Sequence, residues 1–249
     1  MSANHSLTVL CCFFTASMTG AYTENCMPDL PVPTQLEAGG LEAAVQHRFY
    51  RTPGADFPDN FINMANVKLG LRYVPLPKFE VGTTYDILFK EYDFHAGYSV
   101  FLPKIFLRAQ ALAEFYGAKR DFSDTWDHSL LSQINLQGEP LAGVVLPVAD
   151  FAYDGLTRKF GIGTGIDLAV RENIDLLGEY YPVLGDRTSI LPGEKAVNCF
   201  AAAVKISTLG HHFVFTVSNN NELGMRRHIR GAPNNTIYYG FNIHRLFSF

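Results

Sequence analysis

Charge is scarce in this chain. Only 18% of its 249 residues are Asp, Glu, Lys or Arg, against about 25% in ordinary soluble domains. Long hydrophobic runs are missing as well. No stretch of about 18 apolar residues occurs, so no helix is available to cross a bilayer. Basic residues are outnumbered, 20 against 24 acidic, and they form no stripe, which excludes nucleic acid as a partner. Cysteine is limited to Cys11, Cys12, Cys26 and Cys199, at spacings that match neither a metal motif nor a redox pair. A disulfide between Cys26 and Cys199 is left open. No Gly-rich phosphate loop is present. Gly161, Gly163 and Gly165 alternate inside a strand-like run instead of forming a dinucleotide turn, and no cofactor is expected. No Lys or Arg precedes Arg48, although Leu7 to Gly20 has the length and apolarity of a signal-peptide core. Residues 1–21 are read as a signal peptide without the usual basic start. Residues 22–35, with Pro28, Pro31 and Pro33, are read as an extended periplasmic lead-in.

What is present is alternation. Hydrophobic residues make up 47% of the chain, yet mean hydropathy is only +0.04. Lipid-facing and lumen-facing residues alternating along strands produce that balance. Runs of nine or more residues with apolar and polar positions in turn begin near Leu36, Phe61, Phe79, Tyr92, Ile105, Leu130, Gly143, Lys159, Ile174, Val197, His212 and Ile237. Period two means a pleated strand with one apolar face. In the second run Val67, Leu69, Leu71 and Tyr73 alternate with Asn66, Lys68, Gly70 and Arg72. Pro147, inside the seventh run, predicts a bulge. Short links, such as Pro75 to Lys78 and Leu209 to His211, mostly alternate with long ones, such as Arg51 to Asn60 and Asn219 to Thr236. Outer-membrane barrels show this asymmetry between periplasmic turns and outer loops.

Three features favour lipid over water around the apolar faces. The strands are long enough for a tilted crossing. Aromatics such as Phe49, Tyr73, Tyr85, Phe101 and Phe115 gather at strand ends, as interfacial belts do. The chain ends on Tyr239, Phe241, Ile243, Phe247 and Phe249 in alternation, the kind of signal that barrel-assembly machinery reads. The expected fold is therefore all-β, a closed antiparallel transmembrane barrel of about twelve strands spanning residues 36–249 in a bacterial outer membrane. Lipid and lipopolysaccharide are its expected surroundings.

The inferred inward set is Glu42, Gln46, Arg48, Lys68, Arg72, Glu80, Arg108, Glu114, Gln133, Gln137, Asp167, Glu179 and Lys205. Two roles fit it. The set could line a narrow porin-like channel for small solutes. It could instead fill the lumen with paired charges, leaving a structural barrel or one that docks an unidentified protein. Arg226, Arg227, His228 and Arg230 form a basic cluster in the last outer loop, suited either to solvent or to anionic lipopolysaccharide. His47 points toward lipid. The tandem His211 and His212 find no third ligand, so no metal site is assigned. A lipid hydrolase would need a histidine paired with Ser218 and Asn219. None is identifiable, no catalytic residue is assigned, and the chain is read as not an enzyme.

Six stretches in order carry a resemblance: VQHRFYR (Val45 to Arg51), ANVKLGLRY (Ala65 to Tyr73), FGIGTGIDL (Phe160 to Leu168), GEYYPVL (Gly178 to Leu184), GHHFVFTVSN (Gly210 to Asn219) and YGFNIHRLF (Tyr239 to Phe247). Together they resemble the uncharacterised outer-membrane β-barrel family DUF5777, from about Leu36 to Phe249. The resemblance implies fold and location and brings no activity.

The parity assignment predicts the outcome of two neighbouring substitutions. Leu69→Arg should impair barrel assembly, since Arg near mid-bilayer on the lipid face costs roughly 2–4 kcal/mol. Lys68→Ala should be better tolerated. The measurement is the fraction of protein that changes gel mobility on boiling; equal fractions would contradict the parity.

Overall fold

The computed structural model of the protein describes residues 26–49, 65–119, 125–185 and 195–247. The expected signal segment 1–21, the first part of the lead-in, Phe61 and Phe249 lie outside the described residues.

Twelve strands are formed: β1 (Leu41–Phe49), β2 (Ala65–Leu76), β3 (Phe79–Asp86), β4 (Glu91–Leu102), β5 (Leu107–Lys119), β6 (Trp126–Gly138), β7 (Val145–Asp154), β8 (Lys159–Arg171), β9 (Ile174–Tyr181), β10 (Cys199–Thr208), β11 (His211–Ser218) and β12 (Tyr238–Phe247). Each pairs with its sequence neighbours, and β1 pairs antiparallel with β12, so the sheet closes on itself. Closure leaves no row of unpaired backbone groups, which a hydrocarbon environment would penalise heavily.

The two faces of the wall reverse the pattern of a soluble protein. On β2, Leu69 and Leu71 are 43% and 48% exposed, whereas Asn66 is fully buried. Phe94, Tyr98, Leu130, Ile134, Ile166 and Phe215 also face outward. Asp93, Gln110, Asn135, Asp150 and Thr216 are buried inward. An outer surface this apolar is stable only where hydrocarbon replaces water.

The short links lie at one end of the barrel and take left-handed residues where the chain reverses. Lys78, Phe106 and Ala142 have φ of 69°, 49° and 50°. A 3-10 turn, Pro103–Ile105, joins β4 to β5. Register shifts between Tyr73 and Leu76 and between Ala169 and Arg171 occur at the same rim, where bulges commonly terminate pairing.

Two expectations about strands are corrected. The first strand begins at Leu41, not Leu36. A turn at Ala38 and Gly39 breaks the run, with Gly39 at φ 89°. Leu36 instead packs inside against Val74 and Leu246. Pro147 makes no bulge, since it pairs in register with Ile166. It lies just beyond Val148, the last residue of β7 that pairs with β6. A proline that lacks an N–H sits there without removing a ladder bond.

The lumen is occupied. Residues 26–36, expected as a lead-in outside the barrel, lie within it. Cys26, Met27, Leu30 and Val32 share a hydrophobic cluster with the wall residues Val148, Ala152, Leu177, Tyr181 and Cys199. The β11–β12 connection folds inward too, carrying the one α-helix of the described residues, α1 (Met225–Arg230). Met225 and Ile229 join the same cluster, and α1 packs against β7 and β8.

Cys26 and Cys199 are not joined in a disulfide and are buried, at 4% and 0% exposure. Thiol labelling followed by peptide mapping should find both unmodified in the folded protein in detergent and both modified after denaturation. Labelling of either in the folded barrel would mean that residues 26–36 do not stay inserted.

Candidate functional site

The inserted segments rest on a strip of wall that has no side chains. Gly161, Gly163 and Gly165 all face inward from β8. A Cβ on Gly161 would collide with Ile229 of α1, one on Gly163 would lie 2.6 Å from Leu30, and one on Gly165 2.7 Å from Leu30 and 2.8 Å from Met27. Alternate glycines in a strand allow another chain this close. Across the lumen, the inserted chain is tied to β1 and β12. Arg48 Nη2 donates to the Pro28 carbonyl at 3.1 Å, and Asn242 Nδ2 donates to the same oxygen at 2.7 Å. Arg48 Nη1 donates to Asn242 Oδ1 at 2.7 Å.

Asp29 is where the two insertions meet. Its carboxylate lies 3.0 Å from Arg48 Nη2 of β1 and 3.6 Å from His228 Nε2 of α1. The backbone N–H groups of Asp29 and Leu30 donate to the Glu179 carboxylate of β9 at 3.0 and 2.8 Å. His228 packs its ring on Tyr181, 4.4 Å between centroids. Burial pushes the Asp29 carboxyl up, but Arg48 and then His228 outweigh it and hold it at about 2. Burial likewise pushes His228 down, and the neighbouring Asp29 carboxylate reverses this and holds the imidazole above its ordinary value.

A second anchor holds α1. Arg226 and Arg227 both bond the Glu91 carboxylate of β4, the latter at 2.7 Å. Arg227 also lies 3.6 Å from Glu222 and over the Phe89 ring, and Arg226 lies over the Tyr116 ring. The basic cluster is therefore not presented to solvent or to lipopolysaccharide. Arg226, Arg227 and His228 are buried and Arg230 is half-buried. Arg226 and Arg227 find their counter-charge on the inner wall and His228 finds its own on the inserted segment, which a loop sequence alone does not reveal.

The predicted inward residues do face inward, and most are paired. Arg72 bridges Glu42 at 3.0 Å and Glu80 at 3.6 Å. His244 lies 3.2 Å from Glu42, His95 lies 3.9 Å from Glu80 and 3.6 Å from Asp93, and Lys68 lies 3.4 Å from Asp93. Lys205 bonds Asp167 and Asp175. Gln133 donates to Glu114 at 3.3 Å, Gln35 to Gln137 at 3.4 Å, and Gln46 to the Pro28 carbonyl at 3.5 Å. Arg108 stands apart at the short-link rim, over the Phe101 ring. Asp29, Glu91, Asp93 and His95 were missed as partners. The one available signal was the glycine alternation on β8, which marks a close approach.

The remaining candidates do not assemble. Tyr239, Phe241, Ile243 and Phe247 share the outer face of β12. His47 stacks on Phe241 at 5.0 Å on that face. His211 contacts Arg245, while His212 turns inward to Ser207 at 2.8 Å. Successive strand residues point to opposite faces, so the two cannot share a metal. Ser218 faces inward and donates to the Phe200 carbonyl at 2.8 Å.

Opposite pH dependences follow at Asp29 and His228. A carboxyl held at about 2 stabilises insertion fully above its free value near 3.8 and less as pH falls through 2. An imidazole held above 6.5 stabilises insertion fully below that value and less as pH rises through its raised value. Hydrogen exchange of residues 26–36 and 225–230 should therefore be slowest between about pH 4 and 6.5 after correction for the intrinsic rate. Asp29→Asn should abolish the alkaline loss of protection. An unchanged profile in that variant would show that the pair does not hold the insertions.

The family model DUF5777, described as a membrane bound beta barrel domain, matches residues 153–247. The match holds four of the six resembling stretches, together with the glycine strip and α1. No curated protein matches the chain. Among solved structures, the chain is similar to the ferric-catecholate import receptor Fiu from E. coli K12 in its open form. Identity is 10% and the TM-score 0.29, over 74% of this chain and 31% of that one. The chain thus spans less than a third of the receptor's length. Residues 153–247 are similar to a membrane bound beta barrel domain.

Proposed function

We propose that this chain is an outer-membrane β-barrel whose lumen is closed to solute flux in the form described. The observation that carries this reading is the meeting of residues 26–36 and α1 at Asp29 and His228, inside a ring of paired charges. Filling the interior this way suits a structural or partner-docking barrel. The long links would face outward and the short links the periplasm, so α1 would close the lumen from outside and residues 26–36 from the periplasmic side.

A second reading, a narrow channel for small solutes, is favoured by one feature. The insertions lean on β7 to β9, and a cavity of about 200 Å³ remains beside β1 to β6. That space holds about seven waters at ~30 Å³ each. Its Lys68, Arg72, Glu80 and Asp93 mix both signs, which favours neither anions nor cations.

Planar-bilayer recording of the refolded protein separates the two. The full chain should show no stable single-channel steps, and a variant lacking residues 22–35 should show them, provided that it still changes gel mobility on boiling. Equal steps from both proteins would reject the closed lumen and support the channel.

A further inference from the structure

The two halves of the lumen differ in charge. Between the rims, β7, β8 and β9 carry fewer charges than β1 to β4, but all of one sign: Asp150, Asp167, Asp175 and Glu179. Lys159 and Arg171 stand at the two ends of β8. Lys205 of β10 bonds Asp167 and Asp175. Asp150 and Glu179 have no such cation. The register sets them on either side of the glycine strip, Asp150 opposite Gly163 and Glu179 opposite Gly165. Asp150 is fully buried with neither oxygen hydrogen-bonded, and Glu179 accepts the N–H groups of Asp29 and Leu30. The inserted chain covers both in the form described. Leu30 and Met27 lie on the glycines, and Val148 and Ala152, which flank Asp150, share a hydrophobic cluster with them.

The same sign is in excess on β4 and β5. Asp93 has Lys68 at 3.4 Å and His95 at 3.6 Å, but Glu114 has no ion pair and takes only the Gln133 amide at 3.3 Å. Glu91 is bonded by Arg226 and Arg227 of α1. The β11–β12 link thus brings Arg226, Arg227 and Arg230 inward with one acid, Glu222, beside Arg227. Residues 26–36 bring Asp29, which sits on Arg48. Part of the positive charge that balances the wall therefore belongs to an insertion and not to the wall.

We propose that the lumen is a path for small monovalent cations, open when the insertions withdraw, and that the arginines of α1 stand in it as a tethered cation. Withdrawal leaves Glu91, Glu114, Asp150 and Glu179 facing water without counter-charges, and on the opposite side releases Arg48 from Asp29. An acidic lining between low-dielectric walls raises the local cation concentration about tenfold or more and repels anions. The glycine strip keeps the groove between Asp150 and Glu179 wide, since no side chain rises from its floor. The proposal rests on the closed-lumen reading only in that the insertions that shut the barrel also cover its acidic side.

The reversal potential in planar bilayers across a potassium chloride gradient is the measurement. Steps from the variant lacking residues 22–35 should favour potassium over chloride about tenfold. Removing residues 225–230 as well should raise that preference at least twofold, because the arginines leave with them. Asp150→Asn combined with Glu179→Gln in the shortened chain should lower it at least twofold. Insertions that act by bulk alone would move neither ratio. Gel mobility before and after boiling certifies each variant as a folded barrel. The proposal is overturned by equal passage of the two ions or a chloride preference, by a potassium preference that neither change moves, or by a folded barrel lacking both insertions that shows no steps. Steps from the full chain equal to those of the shortened one would reject the closed lumen, and their reversal potential would still test the cation path, so the two readings fail separately.

Discussion

Inside the barrel, the Asp29 carboxylate is held between the Arg48 guanidinium of the wall and the His228 imidazole of the inserted helix. None of the three has water to fall back on, since Asp29 is 9% exposed, His228 2% and Arg48 not at all. Removing one partner from a buried pair leaves an uncompensated charge, at a cost of about 3–5 kcal/mol. The three groups therefore stand or fall together. They link β1 to residues 26–36 and to α1, so the wall and both insertions share one electrostatic centre. Glu179 extends it to β9 by accepting the N–H groups of Asp29 and Leu30.

The arrangement follows from placing polar side chains on the inside. A membrane wall that turns apolar residues outward must turn its charges toward the lumen, where each requires a partner. On β1 to β4 the partners come from neighbouring strands, giving the sequence His244, Glu42, Arg72, Glu80, His95, Asp93 and Lys68 around the wall. On β7 to β9 the wall is less charged and, at the β8 glycines, bare. There the inserted chain supplies the filling, with Leu30, Met27 and Ile229 occupying the volume that side chains on β8 would take. The lumen is thus divided into a packed half and a half that retains a polar cavity.

That division bears on both roles considered for the molecule. The packed half holds the inserted chain, and the cavity half keeps a lining of both charge signs and neutral amides. The family-model match to a membrane bound beta barrel domain, over residues 153–247, covers the glycine strip, Glu179 and α1, while Asp29 and Arg48 lie N-terminal to the match. The strands that receive the insertion and the helix that meets it are therefore encoded in one contiguous part of the chain.

The sequence by itself determined the wall. Alternation is local: Lys68 and Leu69 face opposite sides because successive residues of a pleated strand must, and the same rule places Glu42, Arg72, Glu80 and Lys205 inward with no knowledge of their neighbours. It also determined the closed antiparallel order, because short links allow little but hairpins between successive strands. What fills the lumen was decided only by the tertiary structure. Residues 26–36 carry no periodicity that distinguishes an insertion from a lead-in, and Arg226 and Arg227 read as a solvated loop until Glu91, 135 and 136 residues away, is brought against them. Asp29 and Glu179 are 150 residues apart. Contacts at that separation depend on curvature that closes twelve strands into a ring, and no local pattern reports which facing charges the ring will bring together.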